Sequence, residues 1–298
     1  MLPMLIKRDC KLFFKDKGSF FSALITPVIL LFLYSTFLAK LYRSTFVSAM
    51  PQVFSADNTL INGCVGGQLL ASLLAVSCVT VTFCVNLITI QDKTTGAIRD
   101  LTIAPAKRTT LALAYYISTF ISAAIISLVA FAAGLVYLKA VGWYLSLSDI
   151  LLVLVDIFLL TMFATALSSI ICYPLSTQGA ASAVGTLVSC SYGFLCGAYM
   201  PISNFGSGLQ KVLSFLPGTY GTSLLKNHLM RGNFAAMTEA GFPGEVVEGI
   251  KRSIDCTPDF FGHTVTVPEM LGIMAVSVAA LICIYVLIYF IAGKRRGK

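Results

Sequence analysis

Charge is scarce in this chain. Asp, Glu, Lys and Arg make up 11% of its 298 residues, against roughly 25% in a soluble domain, and 57% of the residues are hydrophobic. That deficit excludes a soluble globular protein, because too little polar surface exists to clothe one. Histidine is almost missing: His228 and His263 are the only two, and neither stands near a cysteine in sequence. The nine cysteines (Cys10, Cys64, Cys78, Cys84, Cys172, Cys190, Cys196, Cys256 and Cys283) form no Cys-x-x-Cys pair. This argues against a zinc or redox motif, and no metal site is expected. Most of them fall inside apolar runs, where cysteine behaves as a small hydrophobe. Cys64 and Cys256 fall on the side expected to face outward, where a disulfide could join them. No Gly-x-x-x-x-Gly-Lys-Ser/Thr loop and no dinucleotide fingerprint occurs, so the chain has no recognisable ATP loop and no cofactor of its own is expected. Paired acids, bases or metal ligands are missing from the apolar stretches, so no catalytic residue is assigned.

Long apolar runs are what the chain has instead. A membrane span needs about 20 apolar residues. Six runs qualify: 20–39, 61–90, 110–138, 149–172, 177–199 and 270–292. The expectation is an all-α integral membrane protein with six transmembrane helices, forming one permease-like domain over 1–298. The second and third runs are each about 30 residues, and such a helix is about 45 Å long, longer than the roughly 30 Å hydrocarbon core. The excess must tilt or project.

Basic residues set the orientation. With the N-terminus inside, residues 1–19, the 91–109 loop and the C-terminal tail are all cytoplasmic. They hold thirteen of the 21 Lys and Arg residues, with Asp9, Asp16, Asp92 and Asp100 as their only acids. The net charge of +8 is therefore a property of that face. It is explained by topology and contact with anionic lipid, and gives no support for nucleic-acid binding. Both termini are read as cytoplasmic in a multi-pass cell-membrane protein. No cleavable signal peptide is evident, since Lys7, Arg8, Lys11, Lys15 and Lys17 interrupt the first segment. Residues 1–19 mix these with Leu5, Ile6, Leu12, Phe13 and Phe14, as an amphipathic interfacial helix does.

After the fifth run, Pro201, Gly206, Gly208, Pro217, Gly218 and Gly221 punctuate the chain. Residues 200–268 are expected to hold a short outer re-entrant hairpin, tolerated at membrane depth only when buried by protein. An outer cap follows, with one amphipathic helix near 244–254.

Four features are candidates for function. The loop between the second and third runs offers Asp92, Lys93, Thr94, Gly96, Arg99, Asp100 and Leu101, and has the length and charge of a docking element on which another protein pushes. Gly193 and Gly197, four apart in the fifth run, would let helix backbones approach closely. Asp156 is an intramembrane carboxylate, a functional candidate by default; it shares a helix face with Asp149 and could instead pair with Lys139 or another polar group. Phe32, Tyr34, Phe37, Tyr192 and Phe194 could offer an aromatic, apolar path. Asn86 and Gln68 read as interhelical hydrogen-bond partners. A rival reading is an ion-coupled secondary transporter or channel using Asp156, but no convincing inverted repeat supports it.

The order and spacing of these features resemble the type-2 ABC export permeases. Gly96, Leu101 and Pro105 match the family's Gly-x-x-x-x-Leu-x-x-x-Pro entry to the third span, although Asp92 is the only acid before the glycine. Gly197 and Pro201, then Pro217 and Tyr220, match its turn and hairpin after the fifth span. The resemblance covers essentially the whole chain. It implies a subunit of an ATP-driven exporter, multidrug- or antibiotic-export-like, in a bacterial plasma membrane. It implies a coupling helix at 94–102 that receives an ATP-binding-cassette subunit, which would bind the ATP and Mg. It also implies a second permease copy, identical or related, with the first and fifth spans at the dimer seam.

Overall fold

The computed structural model describes residues 1–40, 42–43, 58–98, 101 and 108–295, without the side chains of 37, 38, 108 and 292–295. Helix α1, Leu2–Lys15, starts with proline in its first turn, where the missing N–H costs nothing. Asp16 closes α1 and caps α2, Lys17–Leu33, accepting from the Gly18 and Ser19 N–H groups at 3.0 and 3.4 Å. A π turn over Tyr34–Leu38 prolongs α2. The next two helices, α3 (Asn58–Thr94) and α4 (Arg108–Val141), have 37 and 34 residues. At 1.5 Å per residue they measure about 55 and 50 Å, well beyond the hydrocarbon core.

Helix α5, Leu147–Cys172, opens with a capping box: Ser146 Oγ accepts from the Asp149 N–H while Asp149 accepts from the Ser146 N–H. Helix α6, Gln178–Leu195, follows. Five helical stretches among the described residues are long and apolar enough to cross a membrane: Lys17–Thr36, Asn58–Thr94, Thr109–Val141, Leu147–Cys172 and Val267–Ile291. The expected fifth run, 177–199, is not one of them. Its helix has 18 residues, about 27 Å, and is diluted by glycine, serine and threonine.

After a 3-10 turn at Ile202–Asn204 and a short helix α7, Ser207–Leu213, the chain enters a 23-residue helix α8, Pro217–Glu239. Pro217 starts α8 instead of breaking it, because its fixed φ suits a first turn. Gly218 and Gly221 lie inside α8 where neighbours crowd it: a Cβ at Gly221 would meet Leu160 at 2.9 Å. Helix α9, Gly244–Ser253, falls where an amphipathic helix was expected. A two-residue turn, Phe261–Gly262, joins β1 (Asp259–Phe260) to β2 (His263–Thr264), with φ of 53° and 90°. Helix α10, Val267–Arg295, ends the described chain.

Helix α3 lies at the centre, packed by α2, α4, α5, α6 and α8; α8 in turn wedges against α5 and α10, and α1 lies along α4. In lipid this packing is stabilised by dispersion and interhelical hydrogen bonds more than by exclusion of water. The first span keeps a bare apolar face at Phe21, Ile25, Val28, Ile29 and Phe32.

Candidate functional site

Two polar knots interrupt the apolar bundle, one at the end where α3 meets the 91–109 loop and one beside the cap. At the loop end, Asp92 lies in the last turn of α3 and is 5% exposed. Arg8 of α1 clasps it with both guanidinium nitrogens, at 2.7 and 2.9 Å, a bidentate geometry that suits arginine. The Tyr115 hydroxyl of α4 donates to the same carboxylate at 2.7 Å. Arg8 also reaches Asp9 at 2.8 Å, so one guanidinium serves two carboxylates. Burial pushes the Asp9 carboxyl up to about 6, against the pull of Arg8.

Lys93 points elsewhere, about 100° further round the helix. Its ammonium donates to the carbonyls of Cys172, Tyr173 and Leu175, at 3.2, 2.7 and 3.1 Å. These sit at the end of α5, where unpaired carbonyls and the helix dipole both favour a cation. Consecutive residues thus tie the base of the loop to α1 and α4 on one side and to α5 on the other. Asp92 and Lys93, both expected at a partner contact, also make these contacts within the chain. Thr94 and Gly96 come next. The Thr94 and Thr95 hydroxyls and the Thr95 N–H all donate to the Gln91 carbonyl. Gly96, with φ of 82°, ends α3 in a conformation only glycine takes freely. Leu101 is half-buried. Arg99, Asp100 and Pro105 lie outside the described residues.

The second knot was missed by sequence reasoning apart from its acid. Asp156 is buried in α5, and its Oδ2 lies 2.6 Å from Nδ1 of His228 on α8. Two residues earlier on α8, Lys226 is fully buried and donates to the carbonyls of Gly197 and Ile254 at 2.9 and 2.8 Å, with Asp255 at 3.9 Å. Asp255 accepts from the backbone N–H groups of Ile202 and Ser203, and Asn227 donates to the Cys256 carbonyl. Asp149, instead of joining Asp156, caps its own helix and pairs with Arg231. The cap is therefore pinned to α8 through main-chain oxygens. A lone histidine two residues from a lysine was the available signal. Burial pushes the Cys256 thiol up to about 12, and Cys64 and Cys256 are both buried free thiols, not a disulfide.

The expected aromatic path is divided. Phe32 is 71% exposed on α2 and Phe194 is 54% exposed on α6, whereas Tyr34 and Tyr192 are buried. Tyr34 stands edge-on to Tyr199, ring centres 6.4 Å apart, and Phe194 lies 5.1 Å from the same ring. Tyr192 donates to the Gly218 carbonyl. The Phe37 side chain lies outside the described set. A cleft of about 420 Å³ opens between α2, α3 and α6, lined by Ser22, Thr26, Thr80, Phe83, Ser189 and Tyr199 among others. Its wall is apolar carbon with scattered hydroxyls and no charge.

Gly193 and Gly197 lie at the C-terminal end of α6. Leu195 ends α6, and Gly197, at φ of 72°, closes it with a Schellman turn: the Ala198 N–H donates to the Gly193 carbonyl and the Gly197 N–H to that of Phe194. Gly193 is covered by the chain's own Tyr199, whose ring would lie 2.0 Å from an added Cβ. Among the described residues, no group of three His, Cys, Asp or Glu side chains is placed to hold a metal.

Long apolar helices, some overshooting the bilayer, define a multi-pass α-helical membrane protein. Residues 2–229 match the ABC-2 type transporter family, and the chain belongs to that family. It is a permease component of an ABC transporter, and permeases of this family work with an ATP-binding subunit. No match was found among curated proteins.

Proposed function

We propose that the chain is the translocation subunit of an ATP-driven exporter that moves an amphipathic or hydrophobic molecule: a drug, a lipid-linked molecule or a peptide. In this reading the chain crosses a bacterial plasma membrane six times, α6 together with its re-entrant continuation completing the count, and both termini are cytoplasmic. Helix α1 lies in the inner interface. The chain works as a homodimer or a related heterodimer, with the bare face of α2 and the neighbouring side of α6, at Ser182, Thr186 and Cys190, at the seam. The partner subunit binds ATP and Mg; this chain supplies the path and the mechanical coupling.

The observation that carries the reading is the Arg8–Asp92–Tyr115 clasp beside the Lys93 cap. A push on residues 94–102 cannot be absorbed locally, because the base of that segment is tied to α1, α4 and α5 at once. Displacement passes into the long helices and along α3 to the cleft beside α2 and α6. ATP drives transport only through its differential affinity for the two arrangements of the partner. The uncharged, hydroxyl-dotted cleft suits an uncharged or weakly polar substrate better than a polyanion.

The test is purification of the tagged chain in mild detergent with its co-purifying ATPase. A stoichiometric cassette ATPase, released when Arg99 and Asp100 are reversed in charge, is the expected result. An undiminished complex and undiminished export in that double variant would overturn the assignment of the docking segment.

A further inference from the structure

A second cavity lies on another side of the bundle from the cleft. It occupies about 550 Å³ between α5, α6 and α10, walled by Phe163, Leu187, Leu195, Leu216 and Leu281. The one aromatic hydroxyl there, that of Tyr192, is engaged by the Gly218 carbonyl. Leu216 leads directly to Phe215, which is 64% exposed. The Phe215 ring lies 5.3 Å from Phe260 and 5.7 Å from Phe261 at the hairpin tip, and Lys211 stands over the Phe261 ring at 5.8 Å. Among the described residues Lys211 makes no ion pair, and the nearby Asp259 accepts from the Gly262 N–H. The adjacent residues Leu216 and Phe215 link the groove to the aromatic cluster, and the cluster carries the Lys211 ammonium on its far side.

We propose that this strip binds one anionic phospholipid, with an acyl chain in the groove and the phosphate at Lys211. A greasy trough ending in an unpaired cation complements an anionic amphiphile. Such a lipid would brace α7 and the hairpin against α6 and α10.

Trp143 is the only tryptophan, so Trp143→Phe with Phe215→Trp gives a single reporter in the full chain in nanodiscs; Phe261→Trp serves as a second. Brominated-acyl phosphatidylglycerol should quench it saturably, with about fivefold preference over brominated phosphatidylcholine, as expected for one interfacial basic residue. Lys211→Gln should abolish the preference and Lys211→Arg keep it. Ala280→Trp, which fills the groove, should abolish the saturable component when followed through energy transfer from a labelled lipid to the cap. Equal quenching by the two lipids would reduce the strip to ordinary bilayer contact and overturn the proposal. Displacement of the bound lipid by inorganic phosphate alone would make this a free-anion site and overturn it too. A reporter shielded from both lipids, as under a second copy, would do the same.

Discussion

The two knots use similar residues for opposite purposes. At the loop end, the Arg8 side chain is 32% exposed and divides itself between Asp9 and Asp92. At the cap end, Lys226 is completely buried, and backbone carbonyls hold it on two sides. A shared, half-wet guanidinium can change its balance between two acids at small cost. A dry ammonium cannot move without orphaning carbonyls. The first is built as a joint and the second as a rivet. The difference follows from solvent: removing one member of an ion pair costs far more where water cannot replace it.

Breaking the rivet should have the largest effect. Lys226→Met keeps the apolar stem but strips the donor from the Gly197 and Ile254 carbonyls, and about 3 kcal/mol of stability should be lost. Thermal unfolding in detergent would read that loss, and limited proteolysis of the cap should show it released. A variant as stable as wild type would mean that Lys226 is not a rivet.

Breaking the joint should leave the fold largely intact and damage coupling. Arg8→Ala removes the clasp on Asp92, and transport per ATP hydrolysed should fall about tenfold, the equivalent of one lost charge-assisted hydrogen bond. Exchanging the pair, with Arg8→Asp and Asp92→Arg together, should recover part of the coupling, as a double-mutant cycle on directly interacting residues does. Failure of both variants to alter the transport-to-ATPase ratio would remove the joint from the mechanism.

Asp156 sharpens the comparison further. Asp156→Asn can still hydrogen-bond His228, so a structural role should cost only about 1 kcal/mol and leave transport near normal. Loss of substrate transport together with loss of a proton flux would instead favour the ion-coupled reading. The smallest effect concerns pH. The Asp9 carboxyl titrates at about 6 in the folded chain, above the value of about 3.9 of a free aspartate. The folded state therefore holds that proton more tightly. Docking of α1 on α4 should strengthen as pH falls from neutrality through 6 and weaken as it rises. Amide exchange in α1, corrected for its intrinsic pH dependence, should be a fewfold slower at about pH 5 than at about pH 7, with a flatter profile in Asp9→Asn.

Much of the bundle was legible in the residue pattern because a bilayer tolerates so few backbone solutions. Runs of apolar residues placed α2, α3, α4, α5 and α10 to within a few residues. The mixture of Phe13 with five basic residues located α1. Less was legible where two local signals compete. Glycines at 193 and 197 match a packing motif, yet the same spacing serves a Schellman turn, and only the burial of Gly193 under Tyr199 distinguishes them. Pro217 and Gly218 look like breakers, but at the first turn of a helix enclosed by α3, α5 and α10 they are tolerated. For the candidate site, the charged loop was visible as a segment, whereas the direction of each of its side chains was not.

The sequence alone determined that this is a mainly helical membrane protein with most of its charge in short segments, because hydrophobic length and the distribution of basic residues act locally along the chain. Only the tertiary structure decided what the charges do. Arg8 meets Asp92 across 84 positions and Asp156 meets His228 across 72, and no local rule reaches that far. Those pairings exist because a buried charge must find a partner, and the packing of the helices determines which one lies within reach.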